Sequence, residues 1–127
     1  MSIVVQKYGG TSVGSIDKIK SVAKGLAKRK EAGYDLVVVV SAMGKTTDDL
    51  IEMAKKISNN PSKRELDMLL STGEQMTSAL LAMALEDMGY DAIALTGFQA
   101  GIVTEDRHTK ASILDIEIKK VRCHLKK

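Results

Sequence analysis

At 127 residues, 44% hydrophobic and 28% charged, the chain has the size and balance of one soluble globular domain or part of one. Aromatic residues make up only 3%, with no Trp, and the net charge of +3 comes from scattered lysines, so neither a stacking platform for single-stranded nucleic acid nor a DNA-binding arm is indicated. The single cysteine, Cys123, excludes an internal disulfide framework. With no apolar run of about 18 residues and no signal-peptide pattern, the expected setting is the reducing cytoplasm, with no membrane partner.

In chain order, "IVVQKY" (Ile3 to Tyr8) is rich in β-branched residues and reads as a strand. The glycine loop "GGTSVGS" follows. Then Ile16, Ile19, Val22, Ala23, Leu26 and Ala27 recur at helical spacing, with Ser15 as N-cap and Gly33 as the left-handed terminator. "DLVVVV" (Asp35 to Val40) is apolar without alternation, as in a strand buried on both faces. Strand, helix and strand make a βαβ unit with a right-handed crossover.

The loop "SAMGKTTDD" leads into a helix carrying Leu50, Ile51, Ala54 and Ile57, capped by Thr46 or Thr47 and broken by Pro61. Ser62 and Glu65 form a capping-box pattern for another helix through Leu66, Leu69 and Leu70. "STGEQ" is expected to interrupt it before a Met-rich helix running from Met76 to Gly89, whose methionines suit core filling. "YDAIALTG" reads as a third buried strand, "GIVTED" as a short extended segment and "SILDIE" as a further short strand. A basic helix from Ile118 to Lys127 closes the chain.

This alternation predicts an α/β fold, a three-layer sandwich with a mainly parallel central sheet. A sheet with so few strands leaves a long edge unpaired. The expected folding unit is therefore longer than this chain, and the sandwich is incomplete within it.

In an open α/β sheet, ligands bind beyond the carboxyl ends of the strands, where the first glycine loop lies. Gly9 and Gly10 let backbone amides approach an anion, the following helix presents free N–H groups, and Thr11 and Ser12 add hydroxyls. Lys7 can place an ammonium beside the same spot. Together these features suit phosphate. The P-loop pattern fails because Ser15 stands where it needs lysine, and the glycines at 9, 10 and 14 do not spell the dinucleotide fingerprint. The bland alternative is a tight glycine turn beside a solvated lysine.

"KYGGTSVGS" resembles the N-terminal signature of aspartate kinases in the amino acid kinase family. "VVVVSAMGKTTDDL", "LLSTGEQ" and "LTGFQAGIVTEDRH" resemble further segments of those enzymes, in the same order and spacing, so that the likeness covers essentially the whole chain. It implies transfer of the γ-phosphoryl group of ATP, with Mg2+, to the β-carboxylate of L-aspartate. A carboxylate with a pKa near ~3.9 is already ionised at neutral pH, so no general base is needed and the lack of a catalytic histidine is no objection. Positioning and positive charge are the real demands.

By this resemblance Lys7 is the catalytic residue. Lys7, Tyr8, Gly9, Gly10, Thr11 and Ser12 hold the nucleotide's phosphates, and Ser41, Thr47 and Glu74 contact the amino acid, Glu74 through its α-amino group. No metal ligand is assigned. Local alternatives stand beside these roles: Ser41 as a turn residue, Thr47 as an N-cap, and Ser71-x-x-Glu74 as a capping box. Lys45 reads best as a solvated lysine, and Arg107 and His108 match a family segment without an assigned role.

In aspartate kinases the remainder of the kinase domain, with most of the nucleotide pocket, and the regulatory ACT domains follow. They are expected to lie outside these 127 residues, leaving the chain alone with little activity. A homodimer is expected of the full-length enzyme. The alternatives are a silent, dimer-forming or regulatory fragment, or a kinase for glutamate, acetylglutamate, carbamate or uridylate.

Overall fold

The computed structural model describes residues 2–127. Strand β1 (Ile3–Tyr8) pairs in parallel with β2 (Asp35–Val40), in a register that sets Lys7 beside Val39 and Tyr8 beside Val40. The crossover is α1 (Ile16–Glu31), whose N-cap Ser15 accepts a hydrogen bond from the Lys18 amide at 3.2 Å. Gly33, at φ 97°, ends it in a Schellman turn: its amide bonds the Lys30 carbonyl and the Tyr34 amide reaches back to Arg29. The chain is thus α/β with a parallel sheet, as its alternating pattern predicts.

One face of this sheet forms the core. Val13, Ile19, Ala23, Leu26 and Leu81 are buried together, with Tyr8, Leu36, Val38 and Val40 packed against them. Residues 19, 23 and 26 fall on one helical stripe, which explains the side that α1 presents to the strands. Ile16, at the edge of that stripe, remains 51% exposed.

The opposite sheet face carries Val5 and Val39, 65% and 47% exposed. The expectation that "DLVVVV" is buried on both faces is therefore not met, because no described residue covers that side. Both the sheet and the sandwich are incomplete here.

Helix α2 (Thr46–Ile57) starts one residue earlier than a threonine cap allows. Lys45 occupies the N-cap position without a side-chain bond, and both threonines lie inside the first turn, so neither Thr46 nor Thr47 is the cap. Asp48 and Asp49 complement the helix dipole instead. Ile57, counted into the apolar stripe, is 89% exposed.

Helix α3 (Lys63–Asp87) runs unbroken for 25 residues, about 37 Å. Ser62 is its N-cap residue but makes no side-chain cap bond, and Glu65 pairs with Arg64, so the expected capping box does not form. Nor does "STGEQ" interrupt. The Ser71 and Thr72 hydroxyls donate to the carbonyls of Met68 and Leu69, satisfying themselves within the helix, and Gly73 is buried. Gly89 closes α3 with the same Schellman pattern as Gly33.

"YDAIALTG" forms no strand, because no described strand supplies a ladder partner. Beyond it, β3 (Ile102–Thr104) and β4 (Ile113–Ile116) make a separate antiparallel pair with a register shift between Val103 and Thr104. Helix α4 (Ile118–Leu125) follows, with Lys120 stacked 5.6 Å from the centre of the Phe98 ring. Among the described residues no helix is long and apolar enough to cross a membrane.

Candidate active site

Two parallel neighbours end side by side, so the loops after β1 and β2 emerge at the same edge of the sheet. They are joined by their backbones. The Ser41 amide donates to the Tyr8 carbonyl at 3.2 Å and the Gly44 amide to the Gly10 carbonyl at 2.9 Å. Gly44, at φ 51°, takes a left-handed turn, and a Cβ built on Gly10 would stand 3.0 Å from the Ala42 carbonyl oxygen. Glycine at position 10 thus lets the neighbouring loop approach closely.

Within the first loop, the Ser12 amide turns back onto the Gly9 carbonyl at 3.1 Å. The amides of Gly9 and Gly10 donate to no backbone carbonyl among the described residues. A Cβ on Gly9 would meet nothing within 4 Å, so this stretch of backbone faces open space. Two free amides beside a lysine suit an anion. Lys7 is exposed, on the sheet face opposite the core, whereas the Tyr8 ring packs into the core and contributes only backbone to the loop mouth.

Lys18 was not anticipated from the sequence. Its ammonium donates to the Thr11 carbonyl at 3.0 Å and braces the loop from the first turn of α1. Only its place one turn after the N-cap offered a signal.

The second half of the site is built around a helix glycine. A Cβ on Gly73 would lie 3.0 Å from the Ala42 Cβ and 3.3 Å from the Thr46 Cγ2. Gly73 therefore packs closely against both Ala42 and Thr46, and each of the three has a candidate as its chain neighbour: Ser41, Thr47 and Glu74. Residues from a strand end, a helix start and the middle of another helix are brought together in this way. Ser41 and Thr47 are half-buried and Glu74 is exposed.

Ser71 and Glu74 lie in mid-helix, which removes the capping-box alternative for Glu74. Glu74 also takes part in none of the ion pairs among the described residues. Lys45, at the N-cap position, is exposed beside the same loop.

Arg107 and His108 belong to the exposed turn between β3 and β4. His108 Nδ1 lies 3.3 Å from Asp67 Oδ2 on α3, the oxygen that also accepts the Thr109 amide at 2.8 Å. These contacts anchor the hairpin turn to α3, one helical face with two turns between Asp67 and Glu74. The apolar hollow of about 320 Å³ between α1 and α3, lined by Ile16, Leu80 and Met83, contains none of the loop residues.

A parallel sheet with two joined loops at its carboxyl edge and free backbone amides beside a lysine defines an α/β fold with an anion-compatible site at that edge. The model of the amino acid kinase family matches residues 2–127, and the chain belongs to that family. It is 60% identical over 122 residues to the aspartokinase of Geobacillus stearothermophilus, covering 96% of this chain and 30% of that one. The crystal structure of the Synechocystis aspartate kinase aligns with a TM-score of 0.76 at 54% identity, over 80% of this chain and 17% of the other. Aspartokinase III of E. coli, in complex with aspartate and ADP, aligns at 0.81 over 99% of this chain and 39% of its own, and at 20% identity it shows the shared fold. The chain spans about 30% of the length of the curated relatives it matches.

Proposed function

We propose that this chain is the acceptor-binding and phosphate-loop portion of an aspartate kinase, which phosphorylates the β-carboxylate of L-aspartate at the head of lysine, threonine and methionine biosynthesis. The observation that supports this reading is the close packing of Gly73 against Ala42 and Thr46, the chain neighbours of Glu74, Ser41 and Thr47, on the loop that also bonds Gly10 through the Gly44 amide. The high identity to aspartokinases favours aspartate over the acceptors of other amino acid kinases. The aspartate and ADP bound by the E. coli relative correspond to the acceptor and the nucleotide product of the proposed reaction.

The chemistry is direct. A β-carboxylate oxygen attacks the γ-phosphorus of ATP, the bond to the bridging oxygen of ADP breaks, and ADP leaves with that electron pair. No proton needs to move, since the acceptor is ionised. What must be overcome is repulsion between two anions, and Lys7 with the Gly9 and Gly10 amides supplies fixed positive charge where negative charge accumulates. Glu74 offers a carboxylate to the substrate ammonium, an attraction strengthened where water is displaced. Thr11 and Ser12 add hydroxyl donors, while Ser41 and Thr47 face the amino acid.

Mg2+ would travel with the triphosphate. Among the described residues no group of three or more His, Cys, Asp or Glu side chains is gathered to hold an ion. A homodimer of the full-length protein and a cytoplasmic location belong to the same proposal.

Steady-state kinetics of the full-length protein provide the test. Lys7→Ala should lower kcat by roughly 10²–10³-fold, as expected for removing a charge-stabilising donor. Glu74→Gln should raise the KM for L-aspartate with thermal stability unchanged. An unchanged aspartate KM in Glu74→Gln, or full turnover in Lys7→Ala, refutes the corresponding role.

A further inference from the structure

We propose that Gly73 is a positioning residue of the acceptor site, acting through Ala42 and Thr46 rather than by touching substrate. The inference rests on the aspartate kinase reading for the identity of the acceptor, but its steric basis is independent of it. Glycine in the middle of a 25-residue helix destabilises it relative to alanine, so a close approach there is the natural reason for it.

The geometry supplies that reason. Gly73 is buried, and a methyl group at this position would come within 3.0 Å of the Ala42 Cβ and 3.3 Å of the Thr46 Cγ2. The helix has little room to move away. One turn later Thr77 is fully buried, its hydroxyl donating to the Gly73 carbonyl at 3.2 Å, and Leu81 beyond it is part of the core.

Relief must therefore come from the other side, by displacement of the loop that carries Ser41 and leads to Thr47. The same loop holds Gly10 through the Gly44 amide. Gly73 thus sets the distance between Glu74 on the long helix and the two hydroxyl residues opposite. The phosphate loop is held one hydrogen bond further away.

Kinetics of the full-length protein can separate this from a general packing role. Gly73→Ala is expected to raise the KM for L-aspartate by about threefold or more, with the KM for ATP within about twofold, because the opposing atoms must give way by a few tenths of an ångström and alignment is sensitive to small displacements. Ala42→Gly in the same chain removes the opposing methyl, and the double variant should recover most of the aspartate KM. If Gly73→Ala yields no folded protein, the double variant becomes the readout, and recovery of both folding and KM supports the contact.

An unchanged aspartate KM in Gly73→Ala, equal increases in both KM values, or no recovery in the double variant overturns the proposal. If the wild-type protein phosphorylates a different acceptor, the aspartate reading fails. The rescue by Ala42→Gly is then judged on the KM of that acceptor.

Discussion

The Gly44 amide and the Gly10 carbonyl, 2.9 Å apart, fasten the loop after the second strand onto the loop after the first. This bond divides the paired glycines by role. Gly10 is hemmed in by the Ala42 carbonyl, where a Cβ would stand at 3.0 Å, whereas Gly9 has nothing within 4 Å. Gly10→Ala should destabilise the protein by about 1–3 kcal/mol through overpacking against backbone. Gly9→Ala should stay within about 0.5 kcal/mol of wild type and yet weaken nucleotide binding, because its methyl intrudes on the proposed phosphate position. Thermal denaturation paired with the KM for ATP checks both. Equal stability losses, or an unaffected ATP KM in Gly9→Ala, would contradict the division.

Much of this arrangement can be read from the residues themselves. β-Branched runs at Ile3 to Tyr8 and Asp35 to Val40, a helical stripe between them and Gly33 at its end suffice for the parallel βαβ unit, because each local preference agrees with the others. "STGEQ" misleads because serine, threonine and glycine favour helix ends only when their hydroxyls and backbone lack better partners. Here Ser71 and Thr72 bond back to Met68 and Leu69, and tertiary contact occupies Gly73.

"YDAIALTG" has strand composition, but a strand also needs a neighbour, and composition cannot supply one. The site shows the same limit. Glycines and lysine mark the proposed phosphate loop locally, while the packing of Gly73 against Ala42 and Thr46 depends on how α3 sits. A glycine inside a helical pattern was its one visible sign.

Asp67 anchors the β3–β4 turn through a contact that can be measured. Its Oδ2 accepts the amide of Thr109, a β-branched residue held at φ 67°, where side chains are disfavoured. The bond holds a backbone conformation that the sequence alone would not choose. Asp67→Ala should cost about 1 kcal/mol and speed amide exchange at Thr109 and along residues 105–112, leaving exchange in the middle of α3 unchanged. Exchange at Thr109 as slow as in the wild type would show that the turn holds itself.

Tyr90 ties the end of the longest helix to the end of the first, its hydroxyl donating to the Glu31 carboxylate. That bond is the main cause that raises the phenol's pKa above its ordinary 10.0, with some desolvation and the charge of Glu31 adding in the same direction. The folded protein therefore keeps this proton to higher pH than the unfolded chain does. The resulting contribution to stability is complete below 10.0 and disappears as the pH rises through the raised folded value. The absorbance difference between wild type and Tyr90→Phe should accordingly show a tyrosinate signal with its midpoint above 10.0, and any stability gap between them should close over the same range. A midpoint at or below 10.0 would mean that Glu31 does not hold the hydroxyl in solution, leaving α1 and α3 joined by their apolar faces alone.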